Sequence, residues 1–177
     1  TRPDPPSRDG VLGADRVRLS GGRVSGYTLA GRTGWELDCN WKVYVDNYLA
    51  GSHIPIVHPG LFREIDYPRY RTETRGNYSS QHAPLRNPER IRTETDGAEA
   101  EYFWIYPNLM LNVYPDNFST NLIVPLGTGR TRTIFEWFFR DPSQPRVKER
   151  LADTVAFSDE IQLEDIAICE AVQRGLQ

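Results

Sequence analysis

The rarest residues of this chain carry most of its information. Two cysteines, three histidines and one methionine occur among 177 residues. Two cysteines far apart in the chain, Cys39 and Cys169, exclude a dense disulfide framework. One bridge between them is open, but buried reduced thiols are the expected state. No apolar run approaches the ~20 residues that a membrane helix needs, and no basic segment leads into an apolar one as in a secretory leader. Neither sign of charge dominates: 21 Lys and Arg stand against 24 Asp and Glu, for a net charge of −3. Nothing in that balance favours nucleic acid or an anionic membrane. Gly127-Thr128-Gly129 has no Lys followed by Ser or Thr after it and opens no helix, so it reads as a turn and not a phosphate loop. Internal repeats are also missing. What is present is an ordinary globular composition, 38% apolar and 25% charged, at a length suited to one domain. A soluble cytoplasmic protein is expected.

Residues 1–20, rich in Pro, Asp and Arg near their start, read as an irregular lead-in or linker before a domain spanning 21–177. The abrupt start without Met reads as a fragment or a processed product. A short strand is expected at 23–30. Across 35–52, Trp41, Tyr44, Val45, Tyr48 and Leu49 recur at spacings of three and four, the signature of one helix face. Pro55 and Pro59 then prevent a regular helix from continuing. From 67 to 140 β-forming residues prevail, with a hairpin of 101–106 and 109–114 around Pro107-Asn108, then strands at 118–124 and 131–140. A Pro-containing break at 141–145 precedes a long helix over 146–174. Strand, helix, several strands and a long helix make an α+β order. Trp104, Tyr106, Phe135, Trp137 and Phe138 are expected in the sheet core or a pocket wall, with core preferred. His82 is expected as a surface or satisfied histidine.

The chemistry concentrates at two places. On a wheel centred on Asp165, residues Ile161, Ile168, Cys169 and Val172 fall within about 60°. Asp165 is thus expected in the middle of an apolar face. A carboxylate buried there without a partner is costly. Either a metal, an Arg or Lys, or another cation neutralises it, or the side chain escapes to the rim. His53 and His58 are candidate companions. On a regular helix they would point about 140° apart, but Pro55 lets His53 end one helix while His58 returns from the next turn. Two histidines and one carboxylate form a facial triad that leaves positions on Fe(II) open. Zinc accepts the same ligands, so ligand type alone does not fix the metal.

These residues also resemble a known family. Asn40-Trp41-Lys42, Asp46-Asn47-Tyr48 and His53-Ile54-Pro55-Ile56-Val57-His58-Pro59-Gly60-Leu61 look like the iron-binding segment of ring-hydroxylating oxygenase large subunits. Leu163 to Leu176 looks like the segment that carries the third ligand, with Asp165 at the ligand position. The resemblance implies a START-like helix-grip (SRPBCC-type) fold, an antiparallel sheet wrapped around a long C-terminal helix. It implies mononuclear Fe(II) on His53, His58 and Asp165, with Asn47 beside the iron. It also implies O2 and a small organic substrate (an aromatic acid, an aromatic hydrocarbon or a quaternary amine), a ferredoxin or reductase as electron source, and a homotrimer.

Three departures qualify that resemblance. The family's Rieske [2Fe–2S] cluster needs C-x-H and C-x-x-H pairs, and neither occurs in this sequence, so these residues cannot hold it. The acid that the family places between the Asp-Asn-Tyr element and the first histidine is Ala50, and the usual Tyr before that histidine is Ser52. The iron site is expected to form, with coupling to a cluster weakened or routed through another residue. The sequence ends at Gln177, short of the family's usual length. Two rivals stand beside the oxygenase: a metal-free module for hydrophobic ligands on the same fold, and a zinc hydrolase built on the same three residues.

Overall fold

The computed structural model describes residues 25–86 and 99–177. The lead-in expected over 1–20 lies outside them. Strand β1 (Thr28–Leu37) comes first, then helix α1 (Trp41–Leu49). One 3-10 turn (Gly51–His53), the four-residue α2 (Ile54–Val57) and α3 (Pro59–Glu64) follow, and a second 3-10 turn (Tyr67–Arg69) leads into the sheet. Strands β2 (Arg71–Arg75), β3 (Tyr78–Pro84), β4 (Glu99–Ile105), β5 (Leu109–Val113), β6 (Asn117–Gly127) and β7 (Arg130–Phe139) precede the 31-residue α4 (Pro145–Gly175).

All seven strands form one antiparallel sheet in the order β1-β7-β6-β5-β4-β3-β2. Strands β2 to β7 are a simple meander. β1 closes the far edge against β7, so the chain between β1 and β2 has to cross from one edge to the other. The helices α1 to α3 make that crossing, and α1 packs against both β6 and α4.

Local signals set the helix ends. Asn40 accepts the backbone N–H of Lys42 at 2.9 Å and caps α1. Pro55, Pro59 and Pro145 each occupy the first turn of a helix, where a missing N–H costs nothing. Two expected boundaries move. The strand expected at 23–30 runs over 28–37 in the described residues, and the helix expected over 35–52 is confined to 41–49. The reason is long-range: Trp35, Glu36 and Leu37 extend β1 by pairing with Thr133, Arg132 and Thr131 of β7. The hairpin, the two following strands and α4 all fall within a few residues of their expected limits.

The alternation of side chains gives the sheet two faces. Gln81, Tyr102, Asn112, Ser119 and Trp137 pair in turn across β3, β4, β5, β6 and β7. They form a single row on the face that holds the cavity. On the opposite face Tyr78, Phe103, Val113 and Phe118 form an apolar cluster, with Phe118 stacked on Phe138 at 4.5 Å between ring centres. Phe135 and Trp137 are buried and line the cavity, whereas Tyr106 is 63% exposed at the hairpin end, outside the core expected for it. Cys39 and Cys169 are free, buried and hydrogen-bonded to each other. No helix among the described residues is long and apolar enough to cross a membrane.

A polar chain fixes α4 to the rest. Gln162 is fully buried; it accepts from the Tyr44 hydroxyl at 2.6 Å and donates to Thr133 Oγ1 at 3.3 Å. One side chain thereby ties α4 to α1 and to β7. Burying a donor or acceptor whose partner has been removed costs about 1–3 kcal/mol. Gln162→Leu leaves the Tyr44 hydroxyl without its acceptor, so we expect a destabilisation of about 1–3 kcal/mol by chemical denaturation. A change below about 0.5 kcal/mol would show that the chain of bonds does not hold the helix in place.

Candidate metal centre

Three elements deliver the three candidate ligands. His53 ends the 3-10 turn that follows α1, and His58 sits at the kink between α2 and α3, with φ −115° and ψ 70°. The short α2 between them, opened by Pro55, rotates the two rings into one space. Their centres lie 4.9 Å apart at an angle of 75°. Asp165 arrives from the middle of α4.

The ligand atoms converge. His53 Nε2 and His58 Nε2 are 3.0 Å apart, and Asp165 Oδ1 lies 3.0 Å from His58 Nε2 and 3.9 Å from His53 Nε2. Neighbouring ligands on an octahedral ion with bonds of about 2.1 Å sit about 3 Å apart. Two of the three separations match neighbouring positions on such an ion, and the third, His53 to Asp165, is wider at 3.9 Å.

Proton positions strengthen the fit. His53 Nδ1 donates to the carbonyl oxygen of Ala50. His58 Nδ1 lies 2.7 Å from Glu164 Oε2. Both partners can accept, so the tautomer with the hydrogen on each Nδ1 satisfies them and leaves both Nε2 atoms with lone pairs. In that tautomer two lone pairs and a carboxylate oxygen face one another, and a cation can fill the gap. A proton does so in part: burial opposes protonation of His58, but Asp165 and Glu164 outweigh it and hold the ring above the ordinary histidine value. Burial keeps His53 below that value. A metal ion answers all three atoms together.

Asn47, expected beside the iron, donates Nδ2–H to Asp165 Oδ1 at 2.6 Å and fixes the carboxylate. The wheel argument for Asp165 needs correction. The buried residues of α4 are Gln162 and Cys169, while Val172 is 46% exposed. The inward stripe is therefore centred about 50° from Asp165. Asp165 stands on its shoulder, at the rim of the cavity, and keeps 16% of its side chain exposed. Hydrophobic periodicity could not have shown this, because half of the buried pair is a glutamine. Sequence reasoning also missed Glu164, whose only signal was its place one residue before a candidate ligand.

The centre opens into a cavity of about 550 Å³. Tyr44, Tyr48, Tyr70, Tyr102, Tyr114 and Trp137 contribute to its wall. Burial raises the hydroxyl pKa of all five tyrosines, which keeps them neutral. Their hydroxyls are engaged: Tyr48 donates to Asn112 Oδ1 at 2.9 Å, Tyr102 and Tyr114 meet at 3.3 Å, and Tyr70 donates to Gln81 Oε1. Gly51, beside His53, is required by close approach, since a Cβ there would lie 2.5 Å from the Tyr70 ring.

His82 is not at the surface. It is 3% exposed on the sheet face opposite the cavity, with Nδ1 3.5 Å from Glu101 and 3.8 Å from Glu99. Those three residues form a second cluster with metal-ligating atoms, but Arg71 already engages Glu99 at 3.3 Å.

Comparison with known proteins gives the family of the chain. The chloroplastic choline monooxygenase of Arabidopsis thaliana is 37% identical over 174 residues, covering 94% of this chain and 40% of the relative. The carnitine monooxygenase oxygenase subunit of Acinetobacter baumannii is 28% identical over 169 residues, covering 93% and 45%. The chain thus spans less than half the length of these relatives. Among solved structures, the quaternary ammonium Rieske monooxygenase CntA superposes with a TM-score of 0.83 at 25% identity, over 98% of this chain and 47% of that one. Naphthalene 1,2-dioxygenase from Rhodococcus shares the fold at a TM-score of 0.73 and 15% identity, over 97% and 50%. Residues 24–177 match the family described as the ring hydroxylating alpha subunit (catalytic domain). The relatives are named monooxygenases, and this chain belongs to the ring hydroxylating alpha subunit (catalytic domain) family.

Proposed function

We propose that this domain binds one Fe(II) through His53, His58 and Asp165 and inserts oxygen from O2 into a small quaternary ammonium compound. The observation that carries the reading is the convergence of three acceptor atoms, two of them at 3.0 Å from His58 Nε2, at the rim of a cavity walled by neutral tyrosines. When bound, Fe(II) on such a triad supplies O2 activation, with electrons from a Rieske cluster. The chain's own part is positioning. Asn47 holds the Asp165 carboxylate, Ala50 and Glu164 hold the imidazoles, and the cavity wall orients substrate and excludes water.

The wall favours a cation over the aromatic acids and hydrocarbons that other family members handle. Rings of Tyr and Trp attract quaternary ammonium groups through their π faces. An aromatic acid would instead need a cationic anchor; the wall holds two arginines, Arg63 and Arg150, against the carboxylates of Glu64, Asp153, Glu160 and Asp165, and Arg150 is engaged by Asp116 at 3.0 Å. The choline and carnitine chemistry named for the relatives agrees with this choice. On this reading the fold is the START-like helix grip, with α4 as the gripped helix. The working unit is a homotrimer fed by a ferredoxin or reductase through a Rieske domain outside these residues. A cytoplasmic location is part of the proposal, alongside the chloroplastic location named for the plant relatives.

Elemental analysis of protein purified without air or chelator tests the metal. About one iron per chain is expected in the wild type, and none in Asp165→Ala. Zinc that ignores Asp165 would favour the hydrolase, and no metal at all would favour the metal-free binding module. Calorimetric titration tests the substrate class. Choline or carnitine should bind where benzoate does not, and Tyr102→Leu should weaken that binding roughly 2- to 30-fold, the range of a cation–π contact. Preferential binding of benzoate would overturn the assignment of substrate.

A further inference from the structure

His58 is the most enclosed of the three candidate ligands, with 2% of its side chain exposed. Both of its ring nitrogens are held by the same helix. Nδ1 faces Glu164 Oε2 at 2.7 Å, and Nε2 faces Asp165 Oδ1 at 3.0 Å. Consecutive residues of a helix project about 100° apart, which lets two adjacent carboxylates of α4 straddle one imidazole. Among the described residues, the ion pair recorded for Glu164 is the one with His58. The companion histidine is oriented differently, by the neutral backbone carbonyl of Ala50.

We infer that Glu164 is the positioning residue of this centre: its carboxylate fixes the hydrogen on His58 Nδ1 and so presents Nε2, with its lone pair, to the metal. The inference rests on the reading of His53, His58 and Asp165 as a metal site. An ionised carboxylate has no hydrogen to donate, so the two carboxylates compete for the ring hydrogen, and the shorter contact, 2.7 Å to Glu164 against 3.0 Å to Asp165, favours Nδ1–H. Without Glu164, Asp165 Oδ1 becomes the remaining carboxylate acceptor for the ring. It would draw the hydrogen to Nε2 and block the ligand atom. The charge matters as well as the geometry. Asp165 and Glu164 together bring two negative charges to two neutral imidazoles, which balances a divalent ion. Acidic partners of this kind raise ligand basicity, and their loss typically costs 10- to 100-fold in metal affinity.

The test compares Glu164→Gln, Glu164→Ala and Asp165→Ala with the wild type in two measurements. The first is anaerobic titration of the metal-free protein with Co(II). Glu164→Ala should bind about 10- to 100-fold more weakly than the wild type, while Glu164→Gln, which keeps an acceptor oxygen but not the charge, should recover part of that loss. The second is 15N NMR of the metal-free imidazoles under alkaline conditions where the rings are neutral. His58 should be Nδ1–H in the wild type and in Glu164→Gln, and Nε2–H in Glu164→Ala. A purely structural role would leave that tautomer unmoved. Thermal denaturation of each metal-free variant separates misfolding from a specific loss. Unchanged Co(II) affinity in Glu164→Ala, or a retained Nδ1–H, would overturn the inference. Failure of the wild type to bind Co(II) would instead overturn the metal site itself, and the tautomer would still decide what Glu164 does.

Discussion

Two imidazole Nε2 atoms and one carboxylate oxygen lie within 3.9 Å of one another, and with the ring hydrogens on Nδ1 no proton stands between them. The rest of the domain is arranged so that this unfavourable meeting persists. Each acceptor is held from behind: His53 by Ala50, His58 by Glu164 and Asp165 by Asn47. The partners in turn are held by larger elements. Gln162 locks α4 against α1 and β7, and the tight turn at Gly51 leaves no room for a side chain beside Tyr70. Without such support the three groups would separate or share a proton, because bringing acceptors together out of water is costly unless a cation joins them. Rigidity here is therefore a property of the ligand set.

The legible part of the sequence was that in which chemistry and chain locality coincide. His53, Pro55 and His58 lie within six residues, so their convergence follows from one proline-broken turn. The hairpin at Pro107-Asn108 and the limits of α4 are local as well, and the sheet meander follows from them. The α+β order was visible for the same reason. Features that depend on distant partners were not. β1 reaches Leu37 only because β7 lies alongside it. Gln162 is polar, so a hydrophobic wheel reads it as solvent-facing, although it is the fully buried anchor of α4. The resulting error rotated the assumed inward stripe and placed Asp165 in the middle of it. Tyr106 was misjudged because an aromatic residue at a strand end can point past the sheet, and its exposure depends on what lies beyond the turn.

The separation of tasks between elements explains how such a domain can serve different substrates. All the candidate ligand atoms and the groups hydrogen-bonded directly to them come from the segment α1 to α3 and from α4. The sheet supplies none of them. What the sheet supplies is the row Gln81, Tyr102, Asn112, Ser119 and Trp137, one residue from each of five neighbouring strands. Each can change without altering the strand pairing, because cross-strand hydrogen bonds run through the backbone and the side chains only face the cavity. The opposite face of the same strands carries its own apolar cluster, which stabilises the sheet independently of the row. A metal centre on helices and a recognition surface on a sheet thus meet at the cavity, where Gln81 and Asn112 of the row also bond Tyr48 of α1 at 2.9 Å each. Change in the row leaves the three candidate ligands where they are, and on the proposed reading Tyr102 and Trp137 of the row, with the tyrosines around it, suit a cation.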